Sequence, residues 1–324
     1  MSLLTVQDLH VTYRTPGQPP VRAVRGVSFS LAAGESLGIV GESGCGKSSL
    51  ARALIGLQPA SAGTLTFEGR AVDRLSRQGF RDYRRAVQMV FQDATGSLNP
   101  RMTVRQTLHE VLRVHRMRPA AAIPQRVDEL LDLVGLPTTV LDAFPREISG
   151  GQCQRVSFAR CLALEPRLII ADEPVSALDV SVQARILNLV RSLQQRLGLS
   201  IILISHDLAV VRNICDRVAV MHDGVFVETG IAADVLDAPR HAYTRTLLEA
   251  VPDVGRALQS KLKAERGTFV FFGTRKSGEK ICGGKRYFAR RRFLSRSATA
   301  GWYAKAVPRP AHSAVLVTAP QILQ

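Results

Sequence analysis

A chain of 324 residues that is 46% hydrophobic and 22% charged can bury a substantial core and has the charge fraction of a water-soluble protein, so a globular fold is the default expectation. No apolar run approaches the roughly 18 to 20 residues needed to cross a bilayer, since even the stretch 168–170 meets Asp172 and Glu173 almost at once. The net charge of +16 is concentrated at one end: from Lys261 onward there are 14 basic and 2 acidic residues, which leaves the first 260 nearly balanced at about +4. Residues 1–9 lack a basic region followed by an apolar stretch, so no secretory signal is expected. Cys45, Cys153, Cys161, Cys215 and Cys282 show no paired metal-ligand spacing and read as reduced, structural thiols.

In chain order, residues 3–13 and 21–31 are partly alternating branched stretches separated by Pro16, Gly17, Pro19 and Pro20, which predicts two strands and a loop. Residues 36–40 form a short apolar strand leading into a glycine-rich turn, and 47–57 has helical composition ending near Pro59. Another strand is expected at 87–91, then a helix from Thr103, a plausible N-cap, to Met117, with helical pattern continuing to about Ala163. The runs 168–171 and 200–205 are continuously apolar, as in a parallel sheet covered on both faces, with a helix at 180–197 between them. Residues 217–222 and 225–228 flank Asp223-Gly224, a strong hairpin signal, and a helix at about 242–251 closes the patterned part. The fold class expected is therefore α/β, with a helical subdomain inserted at about 93–165.

Gly41-Glu42-Ser43-Gly44-Cys45-Gly46-Lys47-Ser48, followed by Ser49, satisfies the phosphate-loop pattern directly between a strand and a helix. Its backbone N–H groups can turn inward around phosphate oxygens, aided by the helix N-terminus. Lys47 is expected to reach the β and γ phosphates of ATP, and Ser48 to offer a hydroxyl to Mg²⁺. Cys45 is read as tolerated there, not reactive. The strand 168–171 ends in Asp172 and Glu173, which places two carboxylates at the edge where ligands bind. Asp172 suits Mg²⁺, held through water, and Glu173 suits the water attacking the γ phosphate. His109, His115, His222 and His241 are isolated and read as solvated or hydrogen-bonded.

With those two motifs, Ile148-Ser149-Gly150-Gly151-Gln152 resembles the signature of the ATP-binding cassette (ABC) family in order and spacing, with Ile148 where Leu is usual. The resemblance implies an ABC-type nucleotide-binding domain with an N-terminal antiparallel β subdomain. It further implies that Ser149, Gly150, Gly151 and Gln152 cap the γ phosphate of ATP held by an opposite subunit. Gln92 resembles the Q-loop residue that senses Mg²⁺ and the attacking water, and Ser176-Ala177-Leu178-Asp179 resembles the D-loop, whose Asp179 shapes the dimer interface. His206 resembles the switch histidine that contacts the γ phosphate, and Tyr13 the aromatic residue that stacks on adenine.

Val90-Phe91-Gln92-Asp93, Ser97-Leu98-Asn99-Pro100-Arg101 and His241-Ala242-Tyr243-Thr244-Arg245-Thr246-Leu247-Leu248 resemble the dipeptide, oligopeptide and nickel import branch over residues 1–252. The partners this implies are a second cassette subunit, identical or paralogous, two transmembrane permease subunits and, indirectly, an extracytoplasmic solute-binding protein, at the cytoplasmic face of the cell membrane. Peptide is the first expected cargo and nickel the second. A nucleic-acid-associated ATPase is the rival class, although no nucleic-acid partner is expected. Residues 253–324 depart from the family's usual ending and read as a poorly ordered basic tail, or as a tail of altered reading frame.

Overall fold

A computed structural model describes residues 2–249 apart from Ala177. The expected basic tail lies outside these residues, as does Ala177 of the D-loop resemblance. In chain order the elements are β1 (Ser2–Tyr13), β2 (Val21–Ala32), β3 (Ser36–Val40), α1 (Lys47–Leu54), β4 (Ala62–Phe67), β5 (Arg70–Ala71), α2 (Arg77–Ala86) and β6 (Val87–Val90). A helical stretch follows: α3 (Ala94–Ser97), α4 (Val104–Val114), α5 (Ile123–Val134) and α6 (Gly150–Leu162). The chain then returns to the sheet with β7 (Leu168–Asp172), α7 (Val180–Leu197), β8 (Ser200–Ser205), α8 (Leu208–Ile214), β9 (Arg217–His222), β10 (Val225–Ile231), α9 (Ala232–Asp237) and α10 (Ala242–Glu249).

Two sheets organise these elements. One is antiparallel, in the order β2-β1-β4-β5; the other runs β10-β9-β3-β8-β7-β6 and is parallel except for β10. Every residue of β3, β7 and β8 is buried, because both faces of this sheet are covered. Strand pleating then divides each run between two cores. Leu37, Ile39, Ile170, Ile202 and Ile204 pack toward the antiparallel sheet and α1, whereas Val40, Ile169, Ala171, Ile201 and Leu203 pack toward the helical stretch, α7 and α8.

The local chemistry explains where elements begin and end. Thr103 caps α4 through a reciprocal box with Gln106, and the αL residue Gly135 closes α5. Asp223 and Gly224 both have positive φ, +46° and +79°, as the two-residue turn between β9 and β10 requires. Helix α1 stops at Leu54, three residues before the expected end, because the N–H groups of Leu57 and Gln58 both fold back onto Arg52 O. Strand β10 runs to Ile231, beyond the expected Glu228, since its ladder with β9 continues to the Ile231–Arg217 pair and α9 packs on it.

Strands β4 and β5 and helices α2, α8 and α9 were not expected. In α2 only Phe80 and Tyr83 mark an apolar face among four arginines, and that face is fixed by Tyr83 packing edge-on to Phe67 of β4.

Ile202 is fully buried between the sheets. Ile202→Ala is expected to lower the unfolding free energy by about 2–5 kcal/mol, while Thr103→Ala, which removes one helix cap, costs about 1 kcal/mol. Urea denaturation checks both, and equal losses would contradict this assignment of the core.

Candidate functional site

The loop from Gly41 to Gly46 joins β3 to α1 under pressure from two other strands. A Cβ on Gly41 would lie 2.1 Å from Met221 O of β9, and one on Gly46, where φ is +110°, would lie 2.1 Å from Ala23 O of β2. Any larger residue at either position has to displace backbone. Gly224 N–H, in the β9–β10 turn, donates to Cys45 O at 2.9 Å and pins the loop from outside. Helix α1 starts at Lys47 with no side-chain cap, so its first N–H groups are left for an anion.

Lys47 is only 5% exposed, and its Nζ donates to Gly41 O at 2.8 Å and Glu42 O at 2.7 Å. Neutral carbonyls satisfy the ammonium without cancelling its charge, which suits a polyanion. Burial pushes the Cys45 thiol above its ordinary value despite the nearby Lys47, in keeping with an unreactive side chain.

Strand β7 delivers Asp172 next to this loop. Ser48 Oγ donates to Asp172 Oδ1 at 3.3 Å. Burial pushes the Asp172 carboxyl up, Glu173 adds to the effect, and the Ser48 hydroxyl opposes it. A hydroxyl beside a buried carboxylate is a hard-oxygen donor pair that fits Mg²⁺, which takes few protein ligands and shares its remaining positions with water and phosphate. Among the described residues no group of three or more His, Cys, Asp or Glu could hold a metal by itself.

Glu173 adopts φ +45°, a conformation uncommon for a residue with a side chain. Its N–H donates to Ile204 O at 2.9 Å, which ties the turn to β8. Two groups then meet one oxygen: Gln92 Nε2 donates to Glu173 Oε2 at 3.0 Å, and His206 Nδ1 lies 3.3 Å from the same atom. Gln92 follows β6 and His206 follows β8, so three neighbouring strands of one sheet converge here.

Tyr13, Lys47, Ser48, Ser49, Gln92 and Glu173 border a cavity of about 640 Å³, whereas Asp172 and His206 are outside its wall and adjoin it through Ser48 and Glu173. Tyr13 donates its hydroxyl to Ser49 Oγ at 3.3 Å. The wall also contains Arg22, Ala23 and Arg25 of β2, together with Asp223 and Gly224, none of which the motifs pointed to. No local signal marks the β2 residues, because β2 reaches the loop only through the packing of one sheet on the other, and Asp223-Gly224 was marked only as a turn.

Ser149, Gly150, Gly151, Gln152 and Asp179 are not part of this wall. Ser149 N–H donates to Gln152 Oε1 at 2.8 Å and Gln152 N–H to Ser149 Oγ at 3.3 Å, so the two side chains preform the start of α6. Ser149 and Gly150 are exposed, as is Asp179 at the start of α7. A Cβ on Gly151 would meet Val182 Cγ1 at 2.5 Å, which keeps α6 and α7 in close contact.

Residues 24–176 match the family described as ABC transporter, and residues 227–297 match the oligopeptide/dipeptide transporter C-terminal region. The second match runs past residue 252, the limit of the resemblance set out above. The oligopeptide transport ATP-binding protein OppF of Haemophilus influenzae is 48% identical over 259 residues, 77% of this chain and 78% of that protein. OppF of Lactococcus lactis subsp. lactis is 45% identical over 275 residues, 82% and 86% of the two chains. AppF of Bacillus subtilis is 49% identical over 233 residues, 72% and 71%.

Among solved structures, cbiO1 from Clostridium perfringens, part of the ABC transporter complex cbiONQ, gives a TM-score of 0.65 at 29% identity, covering 80% of this chain and 99% of that one. The dimeric post-hydrolysis state of the ATP-binding cassette MJ0796 bound to ADP and Pi gives 0.64 at 26% identity, covering 71% and 98%. Nearly half of the aligned positions shared with several relatives, over most of each chain, place this protein: it belongs to the ABC transporter ATP-binding proteins, in their oligopeptide/dipeptide branch.

Proposed function

We propose that the chain is the ATP-hydrolysing subunit of an oligopeptide importer. One observation carries this reading: Lys47, Ser48, Asp172, Glu173, Gln92 and His206, drawn from four strand ends, converge beside an uncapped helix N-terminus and a cavity of nucleotide size. The match to the oligopeptide/dipeptide C-terminal region and the names of the relatives support peptide over nickel as cargo.

In this reading the loop N–H groups and Lys47 hold the β and γ phosphates, and Tyr13 stacks on the adenine. Ser48, Asp172 and Gln92 would hold Mg²⁺, which when bound neutralises charge building up on the phosphate oxygens. Glu173 orients the attacking water and accepts its proton; Gln92 and His206, both on the same carboxylate oxygen, fix the direction in which the other oxygen points. The exposed start of α6, with Ser149 to Gln152, faces the phosphates held by a partner cassette, and Asp179 lies at the same seam. That arrangement explains why a preformed anion-binding helix start lies outside its own chain's cavity.

Hydrolysis within such a pair drives two permease subunits, which receive substrate from an extracytoplasmic solute-binding protein. No described helix is long and apolar enough to cross a membrane, in keeping with docking beneath the permeases at the cytoplasmic face.

Phosphate release by the chain with its partner cassette tests the reading. Glu173→Gln is expected to lower kcat by about 100-fold or more with nucleotide binding retained; full turnover in this variant would sink the proposal. A second measurement separates the two halves of the site. Lys47→Ala is expected to weaken ATP binding to the isolated chain by about 10- to 100-fold, whereas Ser149→Arg leaves that binding intact and lowers turnover only in the assembled pair. Loss of binding to the isolated chain in Ser149→Arg would place the α6 start in its own chain's site and refute the seam.

A further inference from the structure

The phosphate loop has a contact that the proposed mechanism does not use. Glu42 N–H donates to the hydroxyl oxygen of Tyr243 at 3.1 Å, across about two hundred residues of sequence. Tyr243 lies in α10, within the stretch matched to the oligopeptide/dipeptide C-terminal region and beyond the ABC transporter match, which ends at residue 176.

The geometry of one peptide unit gives this contact its meaning. Gly41 C=O and Glu42 N–H belong to the same planar group and point in opposite directions when the bond is trans. The carbonyl accepts from Lys47 Nζ at 2.8 Å, while the N–H is held by Tyr243. Rotating this peptide would break both bonds, so the tyrosine hydroxyl resists the rotation that would deprive the buried ammonium of its acceptor. Gly41 has no Cβ to resist it, and none is possible with Met221 O so close.

Tyr243 is itself firmly seated. Its ring lies on His222 with centroids 4.0 Å apart, and its N–H donates to His241 Nδ1 at 3.2 Å. The Glu228 carboxylate on β10 accepts the N–H groups of Arg240 at 2.8 Å and His241 at 3.1 Å, which fixes the approach to α10. Tyr243, Leu247 and Leu248 pack against the larger core, and the neighbouring Thr244 is fully buried. Burial holds the phenol above its ordinary value, so at neutral pH it presents an uncharged hydroxyl.

We infer that Tyr243 is a positioning residue for nucleotide binding: its hydroxyl clamps the Gly41–Glu42 peptide so that Lys47 and the loop N–H groups are preset for phosphate. Through this clamp the branch's C-terminal segment sets the nucleotide affinity of the shared ABC core. The inference rests on the proposed ATP reading, and the experiment separates the two.

Equilibrium titration of the full-length chain with N-methylanthraniloyl-ATP, together with thermal unfolding without nucleotide, provides the test. Tyr243→Phe keeps the ring on His222 and deletes only the hydroxyl. It is expected to raise Kd by about three- to tenfold, the factor that one neutral hydrogen bond carries, with Tm lowered by no more than about 5 °C, the shift that losing one such bond gives a chain of this size. Tyr243→Ala is expected to raise Kd at least as much and to lower Tm as well. A Kd for Tyr243→Phe less than threefold above wild type overturns the inference. So does a fall in its Tm well beyond about 5 °C, because the hydroxyl would then be holding more of the fold than one bond to the loop. Absence of binding by the wild-type chain overturns the nucleotide reading itself, a result distinct from an unchanged Tyr243→Phe.

Discussion

The Lys47 ammonium is buried beneath a turn of six residues and held there by two backbone carbonyls. A charge so placed is tolerable only when its hydrogen bonds are met, and meeting them with carbonyls leaves the charge available. This constraint dictates much of the surrounding structure. The turn has to curl tightly enough to bring Gly41 O and Glu42 O to one nitrogen, so Gly41 and Gly46 press against Met221 O and Ala23 O with no room for a side chain. The antiparallel sheet, the central sheet and the β9–β10 turn all touch the loop, and each fixes part of its shape.

A second convergence lies across the cavity, where one oxygen of Glu173 is approached by both Gln92 and His206. Both positions lie at the ends of strands hydrogen-bonded to β7, so the parallel register of the sheet brings them together without help from sequence proximity. The left-handed backbone of Glu173 stores some strain, held in place by its N–H bond to Ile204 O. Asp172, one residue earlier, points to Ser48 instead, so adjacent carboxylates serve different neighbours. The backbone turn between them separates a proposed metal ligand from a proposed base.

The start of α6 is finished as a local structure and incomplete as a site. Its capping box is satisfied within the chain, and its first residues are exposed. In the proposed pair, that surface would supply the second wall of the nucleotide site. The Tyr243 clamp adds a third level. The ABC core provides the loop, and the branch-specific segment stiffens one peptide within it.

Much of this was legible in residue order. The continuous apolar runs of β3, β7 and β8 announced a sheet buried on both faces, and their boundaries were read closely because buried strands carry no competing pattern. The phosphate loop, Asp172, Glu173 and the Asp223-Gly224 turn were readable because each needs particular residue types at fixed spacing, whereas Gln92, the Ser149–Gln152 segment and His206 were picked out through the family resemblance. Helix α2 was hidden by its arginines, and α8 and α9 by their brevity, seven and six residues. The places of Arg22 and Arg25 in the cavity wall had no local mark, and Tyr243 stood in the branch resemblance with nothing to tie it to the loop. By itself the sequence determined which short-range chemistry exists: a loop that can wrap phosphate, acids at a strand end, a helix start fit for an anion. Only the tertiary structure decided which of these face one cavity, which turn away from it, and which distant side chain holds the loop. Those are relations between elements, set by sheet register and by the packing of one sheet on another, and no spacing along the chain encodes them directly.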